Sequence, residues 1–556
     1  MLALIGAIAV QPAALPSIVP QPASVVSRPG SFALTPRTHI VADDQDVAEY
    51  LRARLRASTG YALNITGHAA RGDIKLILDR RVARLGPEGY TLNVKPDSVE
   101  IRASQPNGLF YGVQSFRQML PPDVFRRAPI GGIRWTAPCA SIEDSPRFAW
   151  RGMHMDVSRH FMPKEFVMKF LELMAIHKFN IFHWHLTDDN GWRIEIKRYP
   201  LLTSLSSDSD FSAMNPKGAT RSINQRAGGY YTQDDIREIV QFARDRFITI
   251  LPEIEMPGHS LAAITAYPEL GNRSQIEAEG GDGSFLKGSD NVYNPSDATI
   301  SFLKDVLAEV SSLFPSTFIH VGGDEVDKTA WKKNPVAQRR MRELGLKNED
   351  ELQSWFIRQF DTFLTQANRR LIGWDEILQG GLAPGAAVMS WRGIDGGIAA
   401  AKSGHDVVMA PTSHTYFDYY QAPAAKEPKA IGGYVPLQKV YSFEPIPDAL
   451  IADQAKHILG AQAQLWAEFI PHPKHMEYMA FPRECALSEV VWSPKAARNY
   501  NDFLSRLAVH LQRLNALDVN YRPLDTPNDS RNSTRTRNER LSAPNARSER
   551  RPARVG

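Results

Sequence analysis

The stretch TFIHVGGDEV, residues 317–326, decides the fold that this sequence predicts. A short apolar run ends in two glycines, and two adjacent carboxylates, Asp324 and Glu325, follow directly. Glycine lets the backbone bend or come close to a ligand where a strand ends. Carboxylates placed just behind a buried strand are typical of the active face of a parallel barrel. We therefore interpret the stretch as a barrel strand followed by functional side chains.

Seven further apolar runs share this pattern, and sequences typical of helices, such as residues 163–177, 233–246 and 348–369, lie between them. This alternation predicts an α/β protein with a TIM (β/α)8 barrel over residues 146–515. The seven runs are GMHMDVS (152–158), NIFHWHL (180–186), ITILPEIEM (248–256), RLIGW (370–374), AVMSW (387–391), DVVMAP (406–411) and ILGAQAQLW (458–466).

Polar and aromatic side chains gather at or just after the ends of most of these runs. Because the strands of a parallel barrel share one open face at their carboxyl ends, we expect these side chains to meet there. They are Asp156, Arg159, Asp188, Asp189, Glu255, His259, Asp324, Glu325, Trp374, Trp391, Trp466 and Glu468.

The chain before the barrel predicts a small α+β domain over residues 20–145. Alternating apolar residues predict strands within 73–79 and 89–104, and helical patterns occupy 47–60 and 108–120. The second of these helices runs into a Pro-Pro pair, which is expected to end it.

The two ends of the chain differ in composition from the middle. Residues 1–19 resemble the apolar and cleavage regions of a signal peptide, and the apolar run is too short to span a bilayer. We therefore expect an exported protein, periplasmic or secreted; a frayed apolar end is the alternative. Residues 527–556 are basic and almost lack apolar side chains, and we predict a disordered tail over residues 516–556.

The charge of the chain argues against nucleic acid as a partner. The net charge is +4, but residues 527–556 contain eight arginines and three acidic residues, so the rest of the chain sums to −1. Without a basic surplus, nothing argues for nucleic acid as a partner.

The two cysteines, Cys139 and Cys485, have no metal or redox spacing and are either free thiols or one bridge. No oligomeric state is predicted.

The adjacency of Asp324 and Glu325 constrains the chemistry. Consecutive strand residues point to opposite faces, so these two should not both flank one glycosidic bond as acid and nucleophile. The usual retaining arrangement needs two carboxyls roughly 5–5.5 Å apart across the bond. Two neighbours reach one substrate only where the strand has ended and each addresses a different atom.

With its H-x-G-G-D-E sequence, the stretch resembles the catalytic motif of the family 20 glycoside hydrolases, the β-N-acetylhexosaminidases and chitobiases. The resemblance covers roughly residues 20–515, with eight motifs in the family's order: RGMHMDVSRHF, NIFHWHLTDDNGWRIEI, LPEIEMPGHS, HVGGDEV, GWDEI, SWRG, TYFDYYQ and AQLWAE. It implies an exo-acting, retaining enzyme that removes terminal N-acetylhexosamine from oligosaccharides or glycoconjugates. The acetamide of the substrate is then the nucleophile, and neither cofactor nor metal is implied.

The resemblance also implies roles for the residues at the reacting centre. Glu325 matches the general acid/base, and Asp324 matches the carboxylate that orients the acetamide N–H and stabilises positive charge. Tyr416 matches the phenol that binds the acetamide oxygen. Asp188 and His259 resemble a polar pair that supports the acid. We expect burial beside Asp324 to raise the pKa of Glu325.

Further residues match contacts to the rest of the sugar. Arg159 resembles the arginine that binds the 3- and 4-hydroxyls, while Asp418 and Glu468 match contacts to the outer hydroxyls. Three tryptophans resemble the aromatic walls of the subsite, with the last of them under the ring: Trp374, Trp391 and Trp466.

Two other functions start from different residues. His183 and His185, with His259, His320 and nearby aspartates, form a pattern that can bind zinc in a metal-dependent amidohydrolase. Against this, the pair lies on the second predicted strand, no metal-like aspartate ends the last one, and we interpret both histidines as core residues. A non-catalytic sugar-binding barrel is the other alternative, but it would lack the acid that Glu325 provides.

Overall fold

A six-stranded mixed sheet and two helices form the N-terminal domain in the computed structural model, which describes residues 15–207, 228–286 and 290–525. The strands follow the order β1-β6-β4-β5-β3-β2 across the sheet. Strand bounds are β1 Ser24–Ala33, β2 Ile40–Ala42, β3 Ile74–Leu78, β4 Tyr90–Lys95, β5 Ser98–Ala103 and β6 Thr136–Asp144; the helices are α1 Gln45–Thr59 and α2 Pro106–Met119.

The bounds of these two helices follow from local chemistry. The side chain of Asp44 accepts the N–H of Val47 at the start of α1, and Gly60 ends the helix with φ +72°. Helix α2 carries Pro106 in its first turn, where a missing N–H costs nothing. It ends at Met119, just before the Pro-Pro pair, as predicted.

Eight parallel strands close into a barrel, which confirms the predicted fold class. Each of the eight apolar runs overlaps one barrel strand, and all but the first contain the whole strand. The strands are β7 Trp150–Asp156, β8 Ile181–His185, β11 Thr249–Glu253, β12 Phe318–His320, β13 Arg370–Trp374, β14 Ala387–Ser390, β15 Val407–Met409 and β16 Ile458–Ala463. A short hairpin, β9 Thr187–Asp188 and β10 Gly191–Trp192, follows the second barrel strand.

Helices surround the barrel or lie in its loops. Within the described residues they are α3 Lys164–Ile176, α4 Leu201–Ser206, α5 Gln233–Arg244, α6 Leu261–Ala266, α7 Asn272–Ala278, α8 Asp297–Leu313, α9 Thr329–Lys333, α10 Pro335–Leu344, α11 Glu349–Gln366, α12 Asp395–Lys402, α13 Thr412–Thr415, α14 Leu437–Tyr441, α15 Ala452–Ala455, α16 Pro473–Ala480, α17 Arg483–Trp492 and α18 Tyr500–Ala516. None of the helices described is long and apolar enough to cross a membrane.

Two buried cations join the domains. Arg151 on β7 donates to the carboxylate of Glu88 at 2.6 and 3.0 Å and to the hydroxyl of Tyr111 at 3.1 Å. Lys178 donates to Asp144 at 2.9 Å, and its ammonium lies 4.3 Å from the centre of the Trp492 ring. Arg151 is therefore a structural residue.

The folded chain extends beyond both predicted domain boundaries. Ile18 and Val19 are fully buried, and Val19 exchanges two backbone hydrogen bonds with the side chain of Gln118, because this segment packs into the core. Leu517 and Val519 are also buried, so the folded part does not end at residue 515. Most of the predicted leader, residues 1–14, and the tail from residue 526 lie outside the described residues.

The two cysteines are free. Cys139 and Cys485 are both buried, in different domains, and no bridge joins them. Of the two alternatives that their spacing left open, the structure has free thiols.

Candidate active site

A cavity of about 220 Å³ opens at the carboxyl ends of the barrel strands. Each of the eight strands supplies at least one lining side chain, from its last residues or from the loop that follows. The cavity brings together all eleven residues that the sequence predicted for the site, whose individual roles stay predictions: Arg159, Asp188, His259, Asp324, Glu325, Trp374, Trp391, Tyr416, Asp418, Trp466 and Glu468. Tyr419 and the half-exposed Ile431 also line it, and sequence reasoning missed both.

The adjacent carboxylates both reach the cavity because their strand ends early. Strand β12 stops at His320, and the backbone then turns through Gly322 and Gly323, at φ +66° and +96°. A Cβ atom on Gly322 would lie 1.8 Å from a carboxylate oxygen of Glu255, so only glycine fits there. Asp324 and Glu325 therefore follow a turn, where strand alternation does not apply.

Asp324 is buried among other carboxyl groups. Its Oδ1 atom has no hydrogen-bond partner within the described residues, and burial raises its pKa, while His259 acts in the opposite direction. Burial and the charge of Asp324 raise the pKa of Glu255 well above its usual range. The same two causes raise the pKa of Glu376 to about 8. Sequence reasoning gave no role to either neighbour of Asp324.

Glu325 has a different environment, and the expected rise of its pKa is wrong for this open pocket. Its side chain is 60% exposed at the mouth of the cavity. The His259 ring lies 3.6 Å away, Nε2 to Oε2, and hydrogen bonding to that ring lowers the pKa of Glu325. A partly solvated carboxylate beside a cationic ring prefers to be ionised.

His259 is held by carboxylates on its other side. Its Nδ1 atom lies 3.4 Å from Oδ1 of Asp188 and 3.4 Å from Oδ2 of Asp189. Burial opposes a charge on the ring, but the carboxylates of Asp188, Asp189 and Glu325 together outweigh burial, and the pKa of His259 rises well above its usual value. Asp189 in turn accepts the N–H of Leu261 at the start of α6.

Beneath the cavity, one buried carboxylate organises the barrel interior. Glu253 accepts hydrogen bonds from His185 and from the indole of Trp374, the latter at 2.9 Å. His183 Nε2 lies 3.1 Å from the same carboxylate. The other ring nitrogen of His185, Nε2, lies 2.8 Å from Oδ2 of Asp188. Although burial opposes a charge on this ring, Glu253 and Asp188 raise the pKa of His185 to about 10. Both histidines thus have protein partners, which disfavours the zinc hypothesis.

The closed end of the cavity holds a cation between carboxylates. Arg159 lies 2.8 Å from Asp188 and 3.6 Å from Glu468, and its guanidinium is 5.2 Å from the centre of the Trp466 ring. Three buried atoms at this end have no hydrogen-bond partner within the described residues: Arg159 Nε, Asp418 Oδ1 and Glu468 Oε2. Buried polar groups are normally paired, so a ligand rich in hydroxyl groups would satisfy this end.

Aromatic rings form the walls between these two ends. Trp374 is almost fully buried, while Trp466 is half-buried with its centroid 5.7 Å from that of Trp374. Trp391 stacks on Tyr416 at 6.1 Å with an interplanar angle of 25°. Trp192 is buried and donates to a backbone carbonyl, so it belongs to the packing.

The cavity thus combines aromatic walls, buried polar atoms that lack a hydrogen-bond partner within the described residues, and an exposed carboxyl at its mouth. A barrel that cleaves glycosides requires these features. The chain belongs to glycosyl hydrolase family 20. The catalytic-domain model of that family matches residues 148–495, and the model of its domain 2 matches residues 15–145.

Named relatives and solved structures agree with this assignment. A beta-hexosaminidase of Porphyromonas gingivalis is 42% identical over 91% of the chain, and the match spans 64% of the length of that protein. A beta-hexosaminidase of Vibrio furnissii is 35% identical over 86% of the chain and 76% of its own length. The crystal structure of a family 20 exo beta-N-acetylglucosaminidase from Vibrio harveyi, in complex with N-acetylglucosamine, superposes with a TM-score of 0.80 at 33% identity, covering 91% of this chain and 78% of that one.

Proposed function

We propose that this protein is an exo-acting, retaining β-N-acetylhexosaminidase that uses the acetamide of its substrate as the nucleophile. The adjacency of Asp324 and Glu325 beyond the end of β12 carries the proposal. Neighbours in the chain address neighbouring atoms of one ligand, an arrangement unlike the two carboxyls that face each other across the bond in ordinary retaining enzymes. Family 20 is itself among the known exceptions to that scheme.

The dimensions of the cavity support exo action. About 220 Å³ lies below the roughly 300–1,000 Å³ typical of pockets for drug-sized ligands, so the space suits one sugar ring. Arg159, Asp418 and Glu468 close one end, while Glu325 stands exposed at the other. A terminal sugar would enter with its outer hydroxyls at the closed end and its leaving group at the mouth.

In the first step, Glu325 donates its proton to the glycosidic oxygen as the bond from that oxygen to the anomeric carbon breaks. The acetamide oxygen attacks the anomeric carbon and closes a five-membered oxazolinium ring. A well-oriented neighbouring group has an effective molarity of about 10⁵–10⁸ M, which explains why no enzyme nucleophile is needed. Asp324 accepts the acetamide N–H and stabilises the cation that forms beside it.

In the second step, water attacks the anomeric carbon from the face that the leaving group vacated. The carboxylate of Glu325 accepts a proton from this water, and the oxazolinium ring opens to restore the acetamide. Two inversions at the same carbon retain the β configuration. Glu325 is thus acid in one step and base in the other.

The lowered pKa of Glu325 fits this cycle if substrate changes its surroundings. A sugar that covers the mouth removes water from the carboxyl, and desolvation favours the protonated form. Asp324 is the buried carboxylate whose negative charge is stabilised by His259 and by the oxazolinium cation as it forms. We therefore expect proton uptake by Glu325 when substrate binds.

The expected substrates are oligosaccharides or glycoconjugates that end in N-acetylglucosamine or N-acetylgalactosamine, and not nucleic acids. Export to the periplasm or medium is part of the proposal and is supported by the apolar residues 1–19. Because Ile18 and Val19 are buried, cleavage is expected upstream of Ser17. Cell fractionation followed by amino-terminal sequencing tests this; an uncleaved protein in the cytosol would contradict it.

A panel of 4-nitrophenyl β-glycosides tests the activity. We expect hydrolysis of the N-acetyl-β-glucosaminide, the N-acetyl-β-galactosaminide or both, and no comparable hydrolysis of the β-glucoside, which lacks the acetamide. NMR should show the β-anomer as the first product. Equal rates with and without the 2-acetamido group would overturn the proposed nucleophile.

A further inference from the structure

The loops after β13 and β14 are joined by side chains that the proposed mechanism does not use. A 3₁₀ turn, Asp375–Leu378, follows β13 directly. Asp375 accepts a hydrogen bond from Nε of Arg392 in the second loop at 2.6 Å and another from the hydroxyl of Ser390, the last residue of β14. The next residue, Glu376, accepts the indole N–H of Trp391 at 2.9 Å. The two loops are therefore linked twice, once by an ion pair and once through a pocket tryptophan.

Glu376 lies behind the cavity wall, where water hardly reaches it. Only 6% of its surface is exposed, and it is not among the residues that line the cavity. The charged groups that face it are Asp324, Asp375 and Arg392, with Arg392 Nε 3.5 Å from Oε1. A buried carboxyl placed close to two other acids is costly, so its retention there calls for a reason.

Trp391 gives that reason, because its ring forms part of the reacting end of the cavity. The ring is only half-buried, and it stacks on Tyr416, a buried phenol whose neighbour is Asp324. If the proposed function is correct, these three side chains surround the acetamide. An indole with one free edge can turn about its side-chain torsions, and a fixed acceptor for its single N–H removes that freedom.

We propose that Glu376 is a positioning residue that fixes the Trp391 ring against Tyr416 and so shapes the recess for the acetamide. It acts through Trp391 and has no contact of its own with substrate. This inference rests on the proposed function for the identity of the group in the recess. The hydrogen bond and its consequences for the ring stand independently of that function.

Three variants at two positions separate positioning from general loop support. Glu376→Leu removes the acceptor, Glu376→Gln keeps an acceptor oxygen without charge, and Trp391→Phe removes the donor. We expect Glu376→Leu to lower kcat by about tenfold with a smaller change in KM, because an orienting hydrogen bond is lost near the nucleophile. Glu376→Gln should restore activity to within about threefold of the native enzyme, since the amide oxygen accepts the same bond.

Arg392→Gln is the matched control for the loops. It breaks the ion pair with Asp375 and the 3.5 Å contact with Glu376 but leaves the hydrogen bond between Glu376 and Trp391. If Glu376 only helps to hold the two loops together, Arg392→Gln and Glu376→Leu should cause similar kinetic losses. Positioning predicts a loss for Glu376→Leu alone. In a double-mutant cycle, Glu376→Leu should add little to Trp391→Phe. Additive losses in the folded double variant, or equal losses in the control, would overturn the inference.

The indole N–H of Trp391 provides a readout that needs no activity. Burial and Asp324 raise the pKa of Glu376 to about 8, so in the ¹⁵N-labelled protein this resonance should shift across pH 8, while Glu376→Gln abolishes the shift. Trp391→Phe identifies the signal. An indole resonance that is the same in the native protein and in Glu376→Leu would refute the hydrogen bond, whereas inactivity on all N-acetyl glycosides would refute only the proposed function.

Discussion

His259 and Glu325 face one another from two loops, and both hold a left-handed backbone conformation. Their φ angles are +50° and +48°, and His259 Nε2 lies 3.6 Å from Glu325 Oε2. Residues other than glycine rarely adopt this conformation, which costs of order 1–3 kcal/mol and persists only where the surroundings impose it. The fold thus tolerates backbone strain at both residues, and this strain holds the imidazole of His259 against the carboxyl of Glu325, the proposed acid.

His259→Gln should move the alkaline limb of kcat/KM to higher pH. A general acid works in its protonated form, so activity is lost as pH rises through its pKa, and His259 is the main cause of the low pKa of Glu325. We also expect activity to fall by about ten- to a hundredfold as the carboxyl loses its orientation. Full pH profiles of native enzyme and variant provide the comparison; a limb that stays in place would assign the low pKa to other groups.

Glu325→Gln should leave folding and sugar binding largely intact but lower turnover by about two to four orders of magnitude, as the loss of general acid–base catalysis typically does. Substrates with very acidic phenol leaving groups should suffer less, because they need less protonation. A series of aryl glycosides of graded leaving-group pKa measures this. Equal losses across the series would remove Glu325 from the acid role.

Asp324→Asn should raise the melting temperature at neutral pH while turnover falls by about 10²–10³-fold, as for other lost charge-stabilising groups. Burial raises the pKa of Asp324 in the folded protein, so its ionisation lowers stability: the loss begins as pH rises past the ordinary pKa of the carboxyl and is complete above the raised pKa. Asparagine removes the cost at high pH only. Melts at low and neutral pH should therefore differ in their response to the substitution; an equal response would place the cost elsewhere.

Trp466→Ala should raise KM and also lower turnover. The ring lies beside Arg159 and Trp374, where it is placed to stack on the sugar and to close the pocket. Steady-state kinetics beside a thermal melt decide the matter. A folded variant with native kinetics would mean that Trp466 only packs against its neighbours.

Substrate and inhibitor analogues separate the acetamide from a protein nucleophile. Replacing the methyl hydrogens of the acetamide stepwise with fluorine should depress the rate progressively, because the carbonyl becomes a poorer nucleophile. A thiazoline that mimics the cyclic intermediate should inhibit far more tightly than free N-acetylglucosamine. Asp324→Asn should weaken the thiazoline and spare simple sugars, since its charge acts on the cation.

A 2-deoxy-2-fluoro glycoside is the complementary probe, because it traps enzymes whose nucleophile is a carboxylate. We expect no covalent adduct on this protein. Intact-protein mass spectrometry measures the outcome directly, and a stable glycosyl adduct on any Asp or Glu would overturn the mechanism.

Local patterns were sufficient for the barrel and for most of the lining of its cavity; Tyr416 and Asp418 came from the family resemblance, and Tyr419 and Ile431 were missed. Each apolar run coincides with a strand, and strand ends in a parallel barrel converge, so a residue such as Arg159 or Trp466 is placed by its position at or just after the end of a run. The environment of each group was not predictable in this way. Glu325 is ionised more easily than expected because it is exposed at the mouth of the cavity and His259, from another loop, faces it. Asp189 bonds to Leu261, 72 positions away.

Groups that act through a partner were the hardest to recognise. Glu253 looks like any strand residue until His185 and Trp374 are seen to converge on it. Glu376 sits inside a recognised motif, but its meaning depends on the indole of Trp391 in the next loop. Such pairings depend on contacts between distant parts of the chain, and the periodicity of a single run gives no information about them.

The cations that join the two domains limit how this enzyme can be taken apart. A barrel cut free of residues 15–145 would keep Arg151 and Lys178 but lose Glu88 and Asp144, their partners. The barrel would therefore lose two buried ion pairs, and the side that the N-terminal domain now covers would be exposed to water. Truncation is thus a poor route to a smaller catalyst, and any graft of this barrel onto another scaffold must bring substitutes for both carboxylates.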